Sequence, residues 1–302
     1  MSGSDRVDPR WPALVLSARP FLGTSSVSKQ ADLDCAVRFS KPENSASVVI
    51  GAVQRGAGAV APMNDANLLR ALDLARERSD FQVYPIIPNV IGYVRDATDH
   101  GMVGAGIKHV RRLGVGDLLA VGLRGVANLR GVLTRDFPAM LSVLIEVEMA
   151  AFKKFRPPLV LLHGQLADIA LALGNKQAFA LFADVIRRRF GAEPGVVTNN
   201  LATMLQALTD WNVDIRVVVA PFNSRGFLMK PTRQACEALA RTTDRYLIAD
   251  RIATGGPLNG DFDYLRGLEI RSAMVEIIDP VAVDSIVASR SHVGQERAVH
   301  AG

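Results

Sequence analysis

The chain has 302 residues, 49% of them hydrophobic and 22% charged, which is enough apolar material for a substantial core and excludes a disordered tail or a minimal binding peptide. Its net charge of +5, from 35 Lys and Arg against 30 Asp and Glu, is modest, and only 6% of residues are aromatic, so no nucleic-acid partner is expected. Cys35 and Cys236 lie far apart with no CxxC spacing, no apolar run approaches about 20 residues and residues 1–10 carry no apolar leader, so the expectation is a cytoplasmic protein with no disulfide framework, structural zinc or membrane partner.

In chain order, residues 14–23 (LVLSARPFLG) read as a strand and 43–56 as a helix ending at Gly56. Residues 57–63 (AGAVAPM) read as a short strand, 65–78 (DANLLRALDLARER) as a strongly amphipathic helix, and 81–88 (FQVYPIIP) as a third strand. The rhythm then breaks: 89–156 holds three helical pieces, at 92–113, 116–130 and 135–155, far more than one crossover helix needs. From 157 onward, strands at 158–163 (PLVLLH), 195–200, 214–221, 245–253 and 270–278 alternate with helices at 168–190, 201–211, 232–242, 261–268 and 281–290. Arg187, Arg188 and Arg189 fall at the carbonyl end of the first of these helices, where cations are favoured, and read as a helix terminus.

Three front strands and five rear ones, joined by right-handed crossovers, predict an α/β fold: a (β/α)8 TIM barrel forming a single domain over 1–302. Residues 90–156 are expected as a helical insertion after strand three, serving as a lid over the mouth or as a homodimer surface. An open doubly wound sheet is the alternative, but a GxGxxG after the first strand is missing and Gly56-Ala57-Gly58 lies at the wrong end of its unit.

In such a barrel the C-terminal strand ends carry the chemistry. The expected rim is rich in neutral hydrogen-bonding residues, which suits a hydroxylated or carbonyl substrate. His163, at the end of PLVLLH, is the candidate general acid/base, because an imidazole exchanges protons near neutrality. The competing reading is a core histidine bonded to a neighbouring group. Asp65 and Asp250 are candidates for a second proton-transfer or orienting group. Thr24, Ser25, Asn89, Thr198, Asn199, Asn200, Asn223 and Arg225 are candidates for binding a small-molecule substrate, with ordinary βα turns as the alternative for the asparagines. The other histidines, His100, His109, His292 and His300, fall on the insert or the tail, so no metal pair is expected. No lysine lies within a strand for a Schiff base and no GxSxG elbow is present for serine hydrolysis.

The segments RPFLGTSS (19–26), FKKFRPPLVLLHG (152–164), GVVTNNLATMLQAL (195–208) and LIADRIATGGPL (247–258) together resemble the aldo-keto reductases. The resemblance implies a barrel, NADPH-dependent carbonyl reduction, His163 in the place of the catalytic histidine, and Thr198-Asn199 holding the nicotinamide amide. It is incomplete: Pro88-Asn89 stands where the family has its lysine, and no tyrosine follows Asn64-Asp65. The leading expectation is therefore a lyase or isomerase that needs no cofactor and acts on a carbonyl-containing substrate by acid/base catalysis at His163. The alternatives are an NADPH-dependent oxidoreductase of the aldo-keto reductase type, and a non-catalytic barrel that binds a ligand or partner through its insert.

Overall fold

The computed structural model describes residues 11–24, 28–90, 137–252 and 258–286. Ser25 and positions 91–136 of the expected insertion lie outside them. The strands are β1 (Leu14–Ser17), β2 (Ala59–Ala61), β3 (Gln82–Val83), β4 (Ile86–Ile87), β5 (Leu159–Leu162), β6 (Glu193–Val197), β7 (Val217–Pro221), β8 (Tyr246–Asp250) and β9 (Ser272–Glu276). They form one sheet in the order β3-β2-β1-β9-β8-β7-β6-β5-β4, and every neighbouring pair is parallel.

The sheet is curled. Its two outermost strands, β3 and β4, are separated in the chain only by Tyr84 and Pro85. On one side of this segment Tyr84 N donates to Val60 O and Ile86 N to Pro62 O, both at 2.8 Å. On the other, Pro85 O accepts from Leu161 N at 2.8 Å and Ile87 O from His163 N at 2.7 Å. The single strand expected at 81–88 is thus two short strands, because Pro85 has no N–H to donate and the segment changes partner there. Among the described residues there are nine strands where eight were expected.

Alternation along each strand sorts the apolar residues onto two faces. Val15, Ala59, Tyr84, Leu161, Val219 and Met274 belong to an inner cluster with Trp11. Leu16, Val60, Val160, Val218 and Val275 face the other way and pack with the helices. Both faces are buried, which is why runs such as LVLL and VVVAP are continuously apolar. Gly195 of β6 takes the inner face, where a Cβ would come within 2.6 Å of Leu161 Cδ2 and 3.1 Å of Val217 O.

The helices are α1 (Lys29–Arg38), α2 (Pro42–Gln54), α3 (Ala66–Arg76), α4 (Phe137–Phe152), α5 (Gly164–Ala172), α6 (Lys176–Val185), α7 (Leu201–Asp210), α8 (Arg233–Thr242) and α9 (Leu258–Gly267). Their starts follow local chemistry: Ser28, Asn175 and Thr232 each accept a backbone N–H of the first turn, and α2 begins at Pro42. α1 was not expected, since its sequence lacks an apolar stripe. The expected helix at 168–190 is broken at Gly174, whose φ of 62° ends α5's turn and lets α6 start at a new angle. α4, the last part of the expected insertion, buries Leu141, Ile145, Met149 and Phe152 in the outer cluster and contacts α6 and β4. It is a layer helix preceding β5. Among the described residues no helix is long and apolar enough to cross a membrane.

Candidate functional site

Continuing each strand's inner face to its C-terminal end brings Ser17, His163, Asp250 and Glu276 to one mouth of the curled sheet. All but Glu276, which is partly buried, are buried. Arg19, two residues beyond β1, reaches across to the acids. Its Nη1 and Nη2 donate to Asp250 Oδ2 and Oδ1 at 2.9 and 2.6 Å, and its Nε lies 2.8 Å from Glu276 Oε1. Arg251 completes a charge-balanced quartet, with its guanidinium 3.8 Å from both Asp250 and Glu276. Burial works against the charge of Arg19, but Asp250 and Glu276 more than offset this and raise its pKa. Burial likewise opposes the charge of Asp250, and Arg19 outweighs it, holding the carboxyl below its usual range. Asp250 is therefore an ionised acceptor with both oxygens engaged.

His163 ends β5 and caps α5, with its Nδ1 accepting the backbone N–H of Gln165 at 3.3 Å. Its pKa is pushed down to about 4, first by burial and then by the positive charge of Arg19. The ring is neutral at pH 7, and because Nδ1 accepts, the proton resides on Nε2.

The other expected residues divide between scaffold and rim. Asp65 Oδ1 accepts the N–H groups of Asn67 and Leu68 at 3.0 and 3.1 Å, making it the N-cap of α3. Asn89 is buried; its side-chain amide donates to Asn64 O at 2.9 Å and its backbone N–H to Glu148 Oε2 at 3.3 Å, which ties the ends of β2 and β4 to α4. Thr24 Oγ1 donates to Arg19 O at 2.9 Å and closes the turn that carries the arginine. Thr198 Oγ1 donates to Asp168 Oδ1 at 2.5 Å, Asn199 N to Asp168 Oδ2 at 3.1 Å, and Asn200 N to Thr198 Oγ1 at 2.9 Å. That anchoring leaves the side chain of Asn199 exposed and that of Asn200 half-buried at the end of β6. Asn223 spends its amide on its own loop, bonding Phe227 O at 2.9 Å and Phe227 N at 2.8 Å, and Arg225 is exposed on that loop.

Arg19 thus binds Asp250 and acts on His163 through its charge, whereas Asp65 and Asn223 serve local structure. Sequence reasoning passes over Arg19 and Asp168. The signal for Arg19 was available: a lone cation inside LVLSARPFLG needs buried carboxylate partners. Asp168 offers no comparable signal, because an acid early in a helix reads equally well as a dipole partner. Among the described residues no group of three or more His, Cys, Asp or Glu is placed to hold a metal.

Neither a family model nor a curated protein matches the chain. Among solved structures, a Pseudomonas aeruginosa protein provisionally assigned as an aldo-keto reductase superposes with a TM-score of 0.52 at 14% identity, over 93% of this chain and 89% of the other. An aldo-keto reductase from Brucella melitensis gives 0.45 at 11% identity, over 92% and 87%. At such identities the likeness is one of fold alone, and the fold of this chain is similar to that of the Pseudomonas aeruginosa structure.

Proposed function

We propose that the chain is a nicotinamide-dependent carbonyl reductase built on a closed (β/α)8 barrel, with β3 and β4 counting as one strand kinked at Pro85 and residues 90–156 inserted after it in a single domain. The observation that carries the reading is the state of His163. A lyase or isomerase centred on this histidine needs it to exchange protons near neutrality. With a pKa of about 4, only about one ring in a thousand is protonated at pH 7, so it is a poor general acid and a weak base. A neutral imidazole with a fixed Nε2–H is instead a hydrogen-bond donor to a carbonyl oxygen. The distant fold relationship favours the same chemistry.

The residues present fit a reduced nicotinamide by donor set. Asn199 and Asn200 hold carboxamides at the end of β6 on a turn that Asp168 immobilises, and a carboxamide is the natural hydrogen-bonding partner of the nicotinamide amide. Thr198 is committed to Asp168 and acts as the post of that turn. When bound, the cofactor supplies a hydride. The chain's own residues orient the carbonyl through His163 and exclude water with the apolar floor of Tyr84, Leu161 and Met274. Pro88-Asn89 stands where the reductases have their lysine and no tyrosine follows Asn64-Asp65 within a few residues, so the product oxygen would take its proton from water.

Fluorescence titration with NADPH, followed by its oxidation in the presence of an aldehyde and ketone panel, tests the reading. Micromolar binding with carbonyl-dependent oxidation is expected. Failure to bind NADPH overturns it and returns the reaction to carbonyl chemistry without a cofactor.

A further inference from the structure

The resemblance to the reductases leaves a gap, because Pro88-Asn89 stands where that family has its lysine and no tyrosine follows Asn64-Asp65 within a few residues. Of the two described cations at the mouth, Arg19 is the one whose guanidinium is bound by hydrogen bonds to Asp250. Arg19 is held on two sides, by both oxygens of Asp250 and by Glu276, with 18% of its side chain exposed. A guanidinium carries five N–H groups in a fixed plane. The bonds to Asp250 use one from each terminal nitrogen and the contact with Glu276 is made at Nε, so the outer N–H groups of Nη1 and Nη2 are not needed for either. His163 ends β5 on the same inner face as Asp250 and Glu276, within electrostatic reach of Arg19. The negative charges facing the guanidinium from β8 and β9 are balanced by Arg19 and Arg251, so the quartet is neutral and does not repel an incoming oxygen of partial negative charge.

We propose that the guanidinium of Arg19 and the Nε2–H of His163 together form an oxyanion pocket that receives the carbonyl oxygen of the substrate. The proposal rests on the reductase reading for its reaction. A bound reduced nicotinamide would supply the hydride, with its two electrons, to the carbonyl carbon, and the C=O π pair would move onto oxygen. The resulting alkoxide would be held by Arg19 and His163 until it took a proton from water, leaving hydroxide and the oxidised nicotinamide. Donors fixed before the charge develops need no reorganisation as it forms. The carboxylates therefore act as positioning residues for Arg19.

Acetate, a small planar oxyanion, tests the pocket in the protein without cofactor. It is titrated against chloride at constant ionic strength while the side-chain nitrogen resonances of Arg19 and His163 are followed by NMR. Saturable millimolar binding that moves both sets is expected. The charge-conserving variant Arg19→Met/Asp250→Asn, and separately His163→Gln, should weaken acetate at least tenfold. Arg19→Lys keeps the charge without the fork and should weaken it severalfold, which serves if the double variant does not fold. Resonances that stay still in the parent, or variants that bind acetate as the parent does, overturn the proposal. NADPH titration of the parent reports separately on the reductase reading: acetate binding without NADPH binding leaves the pocket standing and removes the reductase, and the reverse removes only the pocket.

Discussion

Arg19 and Asp250, 231 positions apart in the chain, are joined by two hydrogen bonds of 2.9 and 2.6 Å across the mouth of the sheet. The pair links the end of β1 to the end of β8, passing over β9, whose Glu276 holds the same guanidinium. It converts an acid that sequence alone reads as a proton-transfer group into an anchor. Removing one partner of a buried pair strands the other charge. Arg19→Met is expected to cost about 3–5 kcal/mol, and adding Asp250→Asn should restore a good part of that loss. Denaturant unfolding of the two variants measures it. A double variant no more stable than the single one would show that the pair carries no buried charge.

His163 makes a pH-dependent contribution whose sign is fixed by its direction of shift. Its folded pKa of about 4 lies below the ordinary 6.5, so the unfolded chain takes up the proton first. The contribution is complete above about pH 6.5 and is lost as pH falls toward 4, by about 3 kcal/mol in all. Carboxylates titrate over part of the same range, so the quantity to follow is the stability of the parent minus that of His163→Gln. This difference should fall between pH 6.5 and 4. A flat difference would mean that the ring is solvated and protonates normally.

Asp65 is a helix cap. Asp65→Ala should cost about 1 kcal/mol of stability and leave NADPH affinity as in the parent, whereas an orienting role in the reaction would show as lost turnover without a matching loss of stability. Thermal melts and steady-state kinetics on one preparation separate the two.

Asp168 anchors the Asn199 turn through a charged acceptor on two donors. Asp168→Ala should cost about 1.5–3 kcal/mol and raise KM for the nicotinamide more than it lowers kcat, because it frees the turn without touching the carbonyl. An unchanged KM would remove Asn199 and Asn200 from the cofactor site.

Gly195 tests the inner packing. Gly195→Val places methyl groups against Leu159, Leu161 and the Val217 carbonyl, and should destabilise by about 1–3 kcal/mol or more through overpacking. A neutral effect, measured by chemical denaturation, would mean that the interior of the sheet is less filled than its contacts indicate.

The alternating strands and helices after residue 157 were legible in the chain because the information is local. A strand buried on both faces is a short run such as VVVAP, and a helix repeats its apolar positions at i+3 and i+4. His163 was legible as a strand-end residue for the same reason. The kink at Tyr84-Pro85, the break at Gly174 and α1, which lacks an apolar stripe, were less so, since each depends on which neighbour a segment meets. The roles at the mouth were settled only in three dimensions. Asp65 and Asp250 are the same residue type at two strand ends, yet one turns to the N–H groups of its own helix and the other to an arginine from the opposite end of the chain. Periodicity is carried by residues a few positions apart, so the sequence by itself determined which segments are strands and helices and which apolar faces they bury. Charge partnership, desolvation and proton affinity depend on distances across strands remote in sequence, so only the tertiary structure decided that Asp250 is an anchored anion, that Arg19 is a fixed cation and that His163 is a buried helix cap of lowered proton affinity.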